Sequence, residues 1–385
     1  MSPSSGFRRL LLPLVPVYRL ALAVQEMRLR RTAPDRLQWP VVSVGNLSMG
    51  GAGKTPLTVA LARALRARGL RVDVLSRGYG RRDATPARVL LDGTAEEFGD
   101  EPLLIARQAG VPVYVASRRY EAGLLAEAEP GGLGFRPERS EHPSGAKARI
   151  DSMAITYGLK PVPFIDSSIS GASEAQPDSA GHMRGLKPPP PSVHLLDDGF
   201  QHRRLRRDVD ILILNREDWH GGLLPAGNLR EPRSAIRRAS VIAIPADEPG
   251  LETELKAFGW RGPVWRLRRV MDIPAIDGPL AACCGIARPE QFFRGLDAAG
   301  LRLVSRAAFR DHHRYTASDV NRLIVCARAA GATSLITTEK DLVRLGELTA
   351  AFPESLPLRS AGLRVEIEDE DAAVDWLVAR IVRPT

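Results

Sequence analysis

The stretch from Val41 to Pro56, VVSVGNLSMGGAGKTP, limits what this chain can fold into more than any other. A short β-branched run breaks into glycines, ends in Gly53-Lys54-Thr55 and passes into the helix-periodic LTVALARALRARG. Strand, glycine turn and helix in that order form a phosphate-binding P-loop. The glycines let the backbone curl so that its N–H groups face phosphate oxygens, and the helix N-terminus adds partial positive charge. Lys54 then reaches the β- and γ-phosphates, and the Thr55 hydroxyl coordinates Mg²⁺. One position departs from the general G-x-x-x-x-G-K-[ST]: Ser48 stands where glycine is expected, with Gly45, Gly50 and Gly51 nearby. The competing reading, a glycine-rich turn with a chance Gly-Lys-Thr, is disfavoured by the strand and helix on either side.

Further apolar runs deliver polar residues to the same edge. Leu70 to Leu75 reads as a second strand ending in the basic, glycine-rich SRGYGRR, where Arg77 suits an anionic ligand or a solvated turn equally well. Gly99-Asp100-Glu101-Pro102 opens a helix, and its acids could serve only the helix dipole. The run before Asp197-Asp198 has the form of a strand carrying a carboxylate to Mg²⁺, with Asp197 the better placed. His202 and the arginines at 203, 204, 206 and 207 follow at once, either facing phosphate or starting the next strand. Arg230-Glu231-Pro232 sets a base and an acid side by side in a loop.

The first 38 residues carry seven arginines between Arg8 and Arg36 against Glu26 and Asp35. Pro13, Pro16 and Arg19 break the apolar run well short of the roughly 20 residues that a membrane-crossing helix needs. A signal peptide is formally possible but would strand a Mg·ATP motif outside the cytosol. The preferred reading is an interfacial helix with Val17, Leu20, Ala21, Val24 and Met27 on one face and arginines meeting anionic head groups. An ordinary basic packing helix is its main rival.

The predicted fold class is α/β: a P-loop NTPase-type parallel sheet with helices on both faces, a smaller C-terminal α/β domain and an N-terminal membrane-associating helix. The expected boundaries are 1–38 for the leader, 39–262 for the P-loop domain and 263–385 for the C-terminal domain. Residues from about 130 to 191 are crowded with Gly, Pro and Ser and read as a mostly disordered insertion. The C-terminal series includes FRDHHRYT, where adjacent His312 and His313 flanked by Asp311 and Arg314 are as readily structural as catalytic. Cys283, Cys284 and Cys326 have no metal-finger spacing, and a reducing compartment fits them. The net charge of +9 implies an anionic partner.

Taken together, VGNLSMGGAGKTP, SRGYGR, GDEP, LLDDGFQHRRLRRDVDI, LLPAGNLREP, FRDHHRYT and TTEKD, in this order, resemble the tetraacyldisaccharide 4'-kinases of lipid A synthesis in Gram-negative bacteria. The resemblance spans about residues 8 to 380 apart from the insertion, and that family tolerates Ser or Thr at position 48. It implies transfer of the γ-phosphate of ATP to the 4'-hydroxyl of a tetraacyldisaccharide 1-phosphate at the cytoplasmic face of the inner membrane, by a peripheral or monotopic enzyme. No nucleic acid or protein partner is implied. By the same resemblance Gly50, Gly51, Ala52, Gly53, Lys54 and Thr55 hold the nucleotide, Thr55 and Asp197 hold Mg²⁺, and Glu231 is a further metal carboxylate. Asp100 is then the base toward the sugar hydroxyl, oriented by His312, with Asp198, His202, Arg77 and Arg230 as secondary candidates.

Three rivals are weaker. A membrane-associated P-loop ATPase switch of the partition or targeting type would carry an extra lysine where Met49 stands. A GTPase would show N-K-x-D, which Thr338-Glu339-Lys340-Asp341 does not match. A nucleic-acid ATPase has only the charge in its favour, because aromatics make up 5% of the chain and stacking platforms are sparse.

Overall fold

The computed structural model describes residues 10–51, 53–129 and 192–382. Ala52, the first nine residues of the leader and the expected insertion at 130–191 lie outside the described residues. Among the described residues twelve strands form one sheet in the order β10-β9-β11-β12-β8-β7-β6-β1-β5-β2-β4-β3. In chain order these are β1 (Val41–Asn46), β2 (Arg71–Ser76), β3 (Ala87–Arg88), β4 (Val113–Val115), β5 (Ser192–Asp197), β6 (Val209–Ile213), β7 (Val241–Pro245), β8 (Val264–Asp272), β9 (Leu280–Cys284), β10 (Leu303–Ala308), β11 (Ser334–Thr338) and β12 (Leu358–Ile367). Pairing is parallel throughout except β3 with β4 and β12 with β8.

The sequence explains the layout. β1 is buried along its whole length between β5 and β6, as a strand covered on both faces must be, and its residues form a continuous apolar run with few polar interruptions. Helix α1 (Val15–Arg31) precedes it, and α2 (Lys54–Ala67) follows the glycine turn and buries Leu57, Leu61 and Leu65 against the sheet. Each such leucine contributes roughly 1.5–3 kcal/mol by burial. Next come α3 (Asp100–Ala109) and α4 (Arg119–Ala128), then α5 (Pro249–Ala257), α6 (Pro289–Ala298), α7 (Ala317–Ala329), α8 (Glu339–Leu345) and α9 (Glu370–Ile381). β12 pairs in parallel with β11 over Leu358 to Ala361, then antiparallel with β8 from Gly362 to Ile367. The parallel strands of the C-terminal third are thereby joined to those of the first two thirds through β8 and β12.

Helix α1 has no buried residue. Val15 and Tyr18 pack against the cluster containing Leu47, Phe200 and Trp219, and the Tyr18 hydroxyl donates to the Arg230 carbonyl at 2.8 Å. Glu26 is ion-paired with Arg203. Val17, Leu20, Ala21 and Met27 are exposed and Val24 is half-buried, so the expected apolar stripe is turned largely to solvent. No described helix is long and apolar enough to cross a membrane.

Between the leader and β1 the chain is held by a buried ion cluster. Glu127 of α4 accepts the N–H groups of Gln38 and Trp39 at 2.6 and 3.0 Å. His194 of β5 places Nδ1 2.7 Å from Asp73 Oδ1 and Nε2 3.3 Å from Glu127 Oε1, beneath the stacked ring of Trp39. Burial alone would lower the His194 pKa, but Asp73 and Glu127 outweigh it and raise it to about 9. A raised histidine pKa stabilises fully below the unfolded value near 6.5 and ceases to do so as pH rises through about 9. The thermal midpoint is expected to fall across that window, and His194→Gln should remove most of the slope. An unchanged slope in a pH series of melting curves would contradict this.

Candidate active site

The C-terminal ends of β1, β2 and β5 open at one edge of the sheet, where a parallel sheet exposes its loops to ligand. β11, which runs the opposite way because β12 pairs antiparallel with β8, brings its own C-terminal end to the same cavity. A cavity of about 1650 Å³ there is lined by Lys54 and Thr55 after β1, Arg77 after β2, Asp197 and Asp198 at the end of β5, and Glu339 and Lys340 after β11. His312, Arg230 and Glu231 also line it, as do Tyr18, Leu22, Glu26 and Leu29 of α1.

The glycine turn meets α2 through Gly53, whose left-handed backbone (φ 89°, ψ 23°) a side chain would strain. Lys54 Nζ donates to Asn46 Oδ1 at 3.1 Å and lies 3.7 Å from Asp198 Oδ1. Asp197 receives the hydroxyls of Thr55 and Thr58 at 3.4 and 3.2 Å. The two adjacent carboxylates are compensated very differently. Arg230 grips both oxygens of Asp198 at 2.9 and 3.1 Å and also reaches Asn46 Oδ1 at 2.6 Å. Burial pushes the Asp198 carboxyl up, but Lys54 and Arg230 outweigh it and hold it below its usual range. Asp197 is 2% exposed, and among the described residues the Thr55 and Thr58 hydroxyls donate to its carboxylate. Burial, with Glu101 and Asp198 adding to it, pushes its pKa well above the usual carboxylate range. A buried carboxylate short of positive charge beside the Thr55 hydroxyl has the donor chemistry of half a divalent-cation site. Glu101 is a nearby acid that the sequence reading did not single out.

A second group gathers around Asp100 at the start of α3. Gly99 before it (φ 89°) packs so closely on Gly78 that an added Cβ would lie 3.1 Å from it, which brings the SRGYGR loop and the GDEP turn together. Asp100 is 6% exposed. Its Oδ2 accepts Arg344 Nε at 2.7 Å, with Arg344 Nη2 at 2.5 Å and His312 Nδ1 at 3.2 Å, and Lys340 Nζ is 3.9 Å away. Burial raises its pKa, but His312, Lys340 and Arg344 outweigh it and hold the carboxyl far below the usual range. Asp100 is therefore ionised at every physiological pH. The His312 side chain is 35% exposed and faces the cleft, and Asp100 stands behind it. Among the described residues, the non-glycine positions with positive φ are Asp198 (50°) and His312 (57°), both on this cleft. Strained backbone of this kind collects at working sites.

The remaining candidates fall as follows. Arg77 lines the cleft. His202 is half-buried outside the cavity lining; burial and then Arg119, Arg207 and Arg77 lower its pKa to about 4, so it is neutral at pH 7. Glu231 gives both oxygens to Arg238 at 2.7 and 3.1 Å, and this geometry offers no support for the metal role read from sequence. Its partner lies seven positions on, a spacing the sequence contains but does not advertise.

A family model described as tetraacyldisaccharide-1-P 4'-kinase matches residues 7–132 and 177–382. The chain belongs to this family. Among named relatives, the tetraacyldisaccharide 4'-kinase of Koribacter versatilis is 36% identical over 360 residues, 91% of each chain. That of Dechloromonas aromatica is 33% identical over 382 residues, 97% of this chain and 92% of its own. The fold matches a crystal structure of LpxK from Aquifex aeolicus in complex with ATP, with a TM-score of 0.63 and 26% identity over 98% of this chain and 100% of that one. The family match leaves out residues 133–176, inside the stretch read as an insertion. In this tetraacyldisaccharide-1-P 4'-kinase family member, the residues that sequence reasoning passed over are Lys340 and Arg344. The TTEKD motif pointed to their helix but not to what they hold.

Proposed function

We propose that this chain is the kinase that transfers the γ-phosphate of ATP to the 4'-hydroxyl of a tetraacyldisaccharide 1-phosphate. The observation that carries the reading is the single cavity lined by the Lys54 loop, by His312 with Asp100 behind it, and by one face of α1. The turn ending in Gly53 receives the phosphates with its N–H groups and Lys54. Thr55 and Asp197 are the residues that would hold Mg²⁺, which when bound neutralises phosphate charge. Arg230 keeps Asp198 and Asn46 in place beside Lys54. The Asp100–His312 pair acts as a unit on the acceptor hydroxyl. His312 meets it from the cleft wall, and ionised Asp100 fixes the ring and stabilises the proton it receives.

An acceptor with four acyl chains leaves a bilayer at a cost of about 0.8 kcal/mol per CH₂. The enzyme therefore works at the surface, and α1 supplies the contact: Val17, Leu20 and Met27 enter the head-group boundary while Arg19, Arg28 and Arg31 meet anionic lipid. On this reading the enzyme sits at the cytoplasmic face of the inner membrane, attached without crossing. The test is transfer of labelled phosphate from ATP to the disaccharide 1-phosphate in mixed micelles. Hydrolysis of ATP without the acceptor at the same rate would favour an ATPase switch and reject the kinase reading. Leu20→Glu with Met27→Glu is expected to cut partitioning onto anionic vesicles at least about tenfold and to spare activity in detergent. Unchanged partitioning would reject the role given to α1.

A further inference from the structure

Two arginines from the C-terminal third of the chain line the cleft that holds the glycine turn. Arg269 of β8 lies against Gly53: a Cβ built on that glycine would be 3.5 Å from Arg269 Nη2 and 3.8 Å from Nε. Arg288, just before α6, places Nη1 3.4 Å from Glu217 Oε2 and Nη2 3.3 Å from Asp218 Oδ1. Both arginines line the same cavity as Lys54. They also sense each other: burial and then the charge of Arg288 lower the Arg269 pKa. Arg269 Nη1 also donates to Gln291 Oε1 at 3.5 Å, and Asp247, Glu248 and Asp218 offset part of that lowering. Two guanidinium groups that line one cavity with a phosphate-binding turn can share an anion, which turns their repulsion into attraction.

The present partners of Arg288 are weak holds. Glu217 is 73% exposed, so that contact is screened by solvent. Asp218 already accepts Asn228 Nδ2 at 2.9 Å, and its Oδ2 is buried without a hydrogen bond among the described residues. The Asn228 carbonyl in turn accepts the N–H of Met49 at 2.8 Å, within the turn itself. Arg288, Asp218, Asn228 and the turn thus form one connected series.

We propose that Arg269 and Arg288 form a second cationic wall for the nucleotide phosphates, opposite Lys54, and that Arg288 gives up Glu217 and Asp218 for phosphate when nucleotide binds. The proposal rests on the nucleotide reading above. It adds a contribution from the C-terminal third of the chain to the phosphate side of the cleft, where Lys54, Thr55, Asp197, Asp198 and Arg230 come from the first 230 residues.

Calorimetric titration of the full chain with ATP, and separately with AMP, in the absence of lipid acceptor tests it. Arg269→Ala and Arg288→Ala are each expected to raise the ATP Kd about tenfold or more, the weight of a charge-assisted hydrogen bond. The AMP Kd should move much less, and Arg288→Lys should recover part of the loss. An ATP Kd equal to wild type in both alanine variants overturns the wall, as does an equal loss for ATP and AMP, which marks a merely structural effect. If an alanine variant melts below the assay temperature, Arg288→Gln and Arg288→Lys carry the same comparison. Lys54→Ala separates the two readings. Loss of ATP binding there with normal binding in the arginine variants rejects only the wall, whereas normal binding in Lys54→Ala rejects the nucleotide site itself.

Discussion

Asp100→Asn is expected to lower kcat for phosphate transfer by about 10²–10⁴-fold, the range for a lost acid–base group. The substitution keeps the side-chain shape but removes the charge that Arg344, Lys340 and His312 surround. His312→Ala is expected to cost nearly as much, and the double variant little more than either single one, because the two work as a unit. ATP binding measured without acceptor should be unchanged in all three, since neither residue touches the Lys54 loop. Additive losses in the double variant would show that the two act separately, and near-normal turnover in Asp100→Asn would remove the pair from the chemistry. Some stability is lost as well: Arg344 is 6% exposed, and with Asp100 neutral its remaining carboxylate partners are Asp341 and, at 3.9 Å, Asp311, beside the Gly285 carbonyl and His312 Nδ1. Melting curves should therefore accompany the rates.

Lys54→Ala is expected to reduce kcat on the order of 10³-fold and to weaken ATP binding, with the fold intact. In phosphoryl transfer charge spreads over the γ-phosphoryl oxygens, and fixed positive groups supply most of the stabilisation. Lys54 is held where such a group is needed, between Asn46 Oδ1 and Asp198. Its removal also takes away one of the influences that lower the Asp197 pKa, so that carboxyl should be harder still to ionise. Wild-type kcat in this variant would mean that phosphate is bound elsewhere.

Much of this was legible before the structure, for reasons that differ from element to element. The turn at Gly53-Lys54-Thr55 and the strand ending at Asp197 could be read because local sequence decides them: a buried run, then residues whose backbone or charge has a definite use. The pairing of Asp100 with His312 could not be read from spacing, and only the family resemblance suggested it. Arg344, 244 positions from Asp100, gave no sign at all, since an arginine in the last turn of a helix usually serves the helix dipole. VWRLRRV forms β8 in the same sheet, where Arg266 and Arg268 are exposed and Arg269 lines the cleft. The metal role of Glu231 came from the family resemblance alone, and its pairing with Arg238 could not be read from spacing. The split between Asp197 and Asp198 turns on Arg230, which sequence places nearby but cannot aim.

The grip of Lys340 and Arg344 on Asp100 carries a consequence for biosynthesis. A ribosome releases Asp100 early, yet Arg344, which with Lys340 holds its charge, arrives 244 positions later. Chains cut short before Lys340 therefore possess the whole glycine turn but lack both cations that hold the Asp100 carboxyl below its usual range.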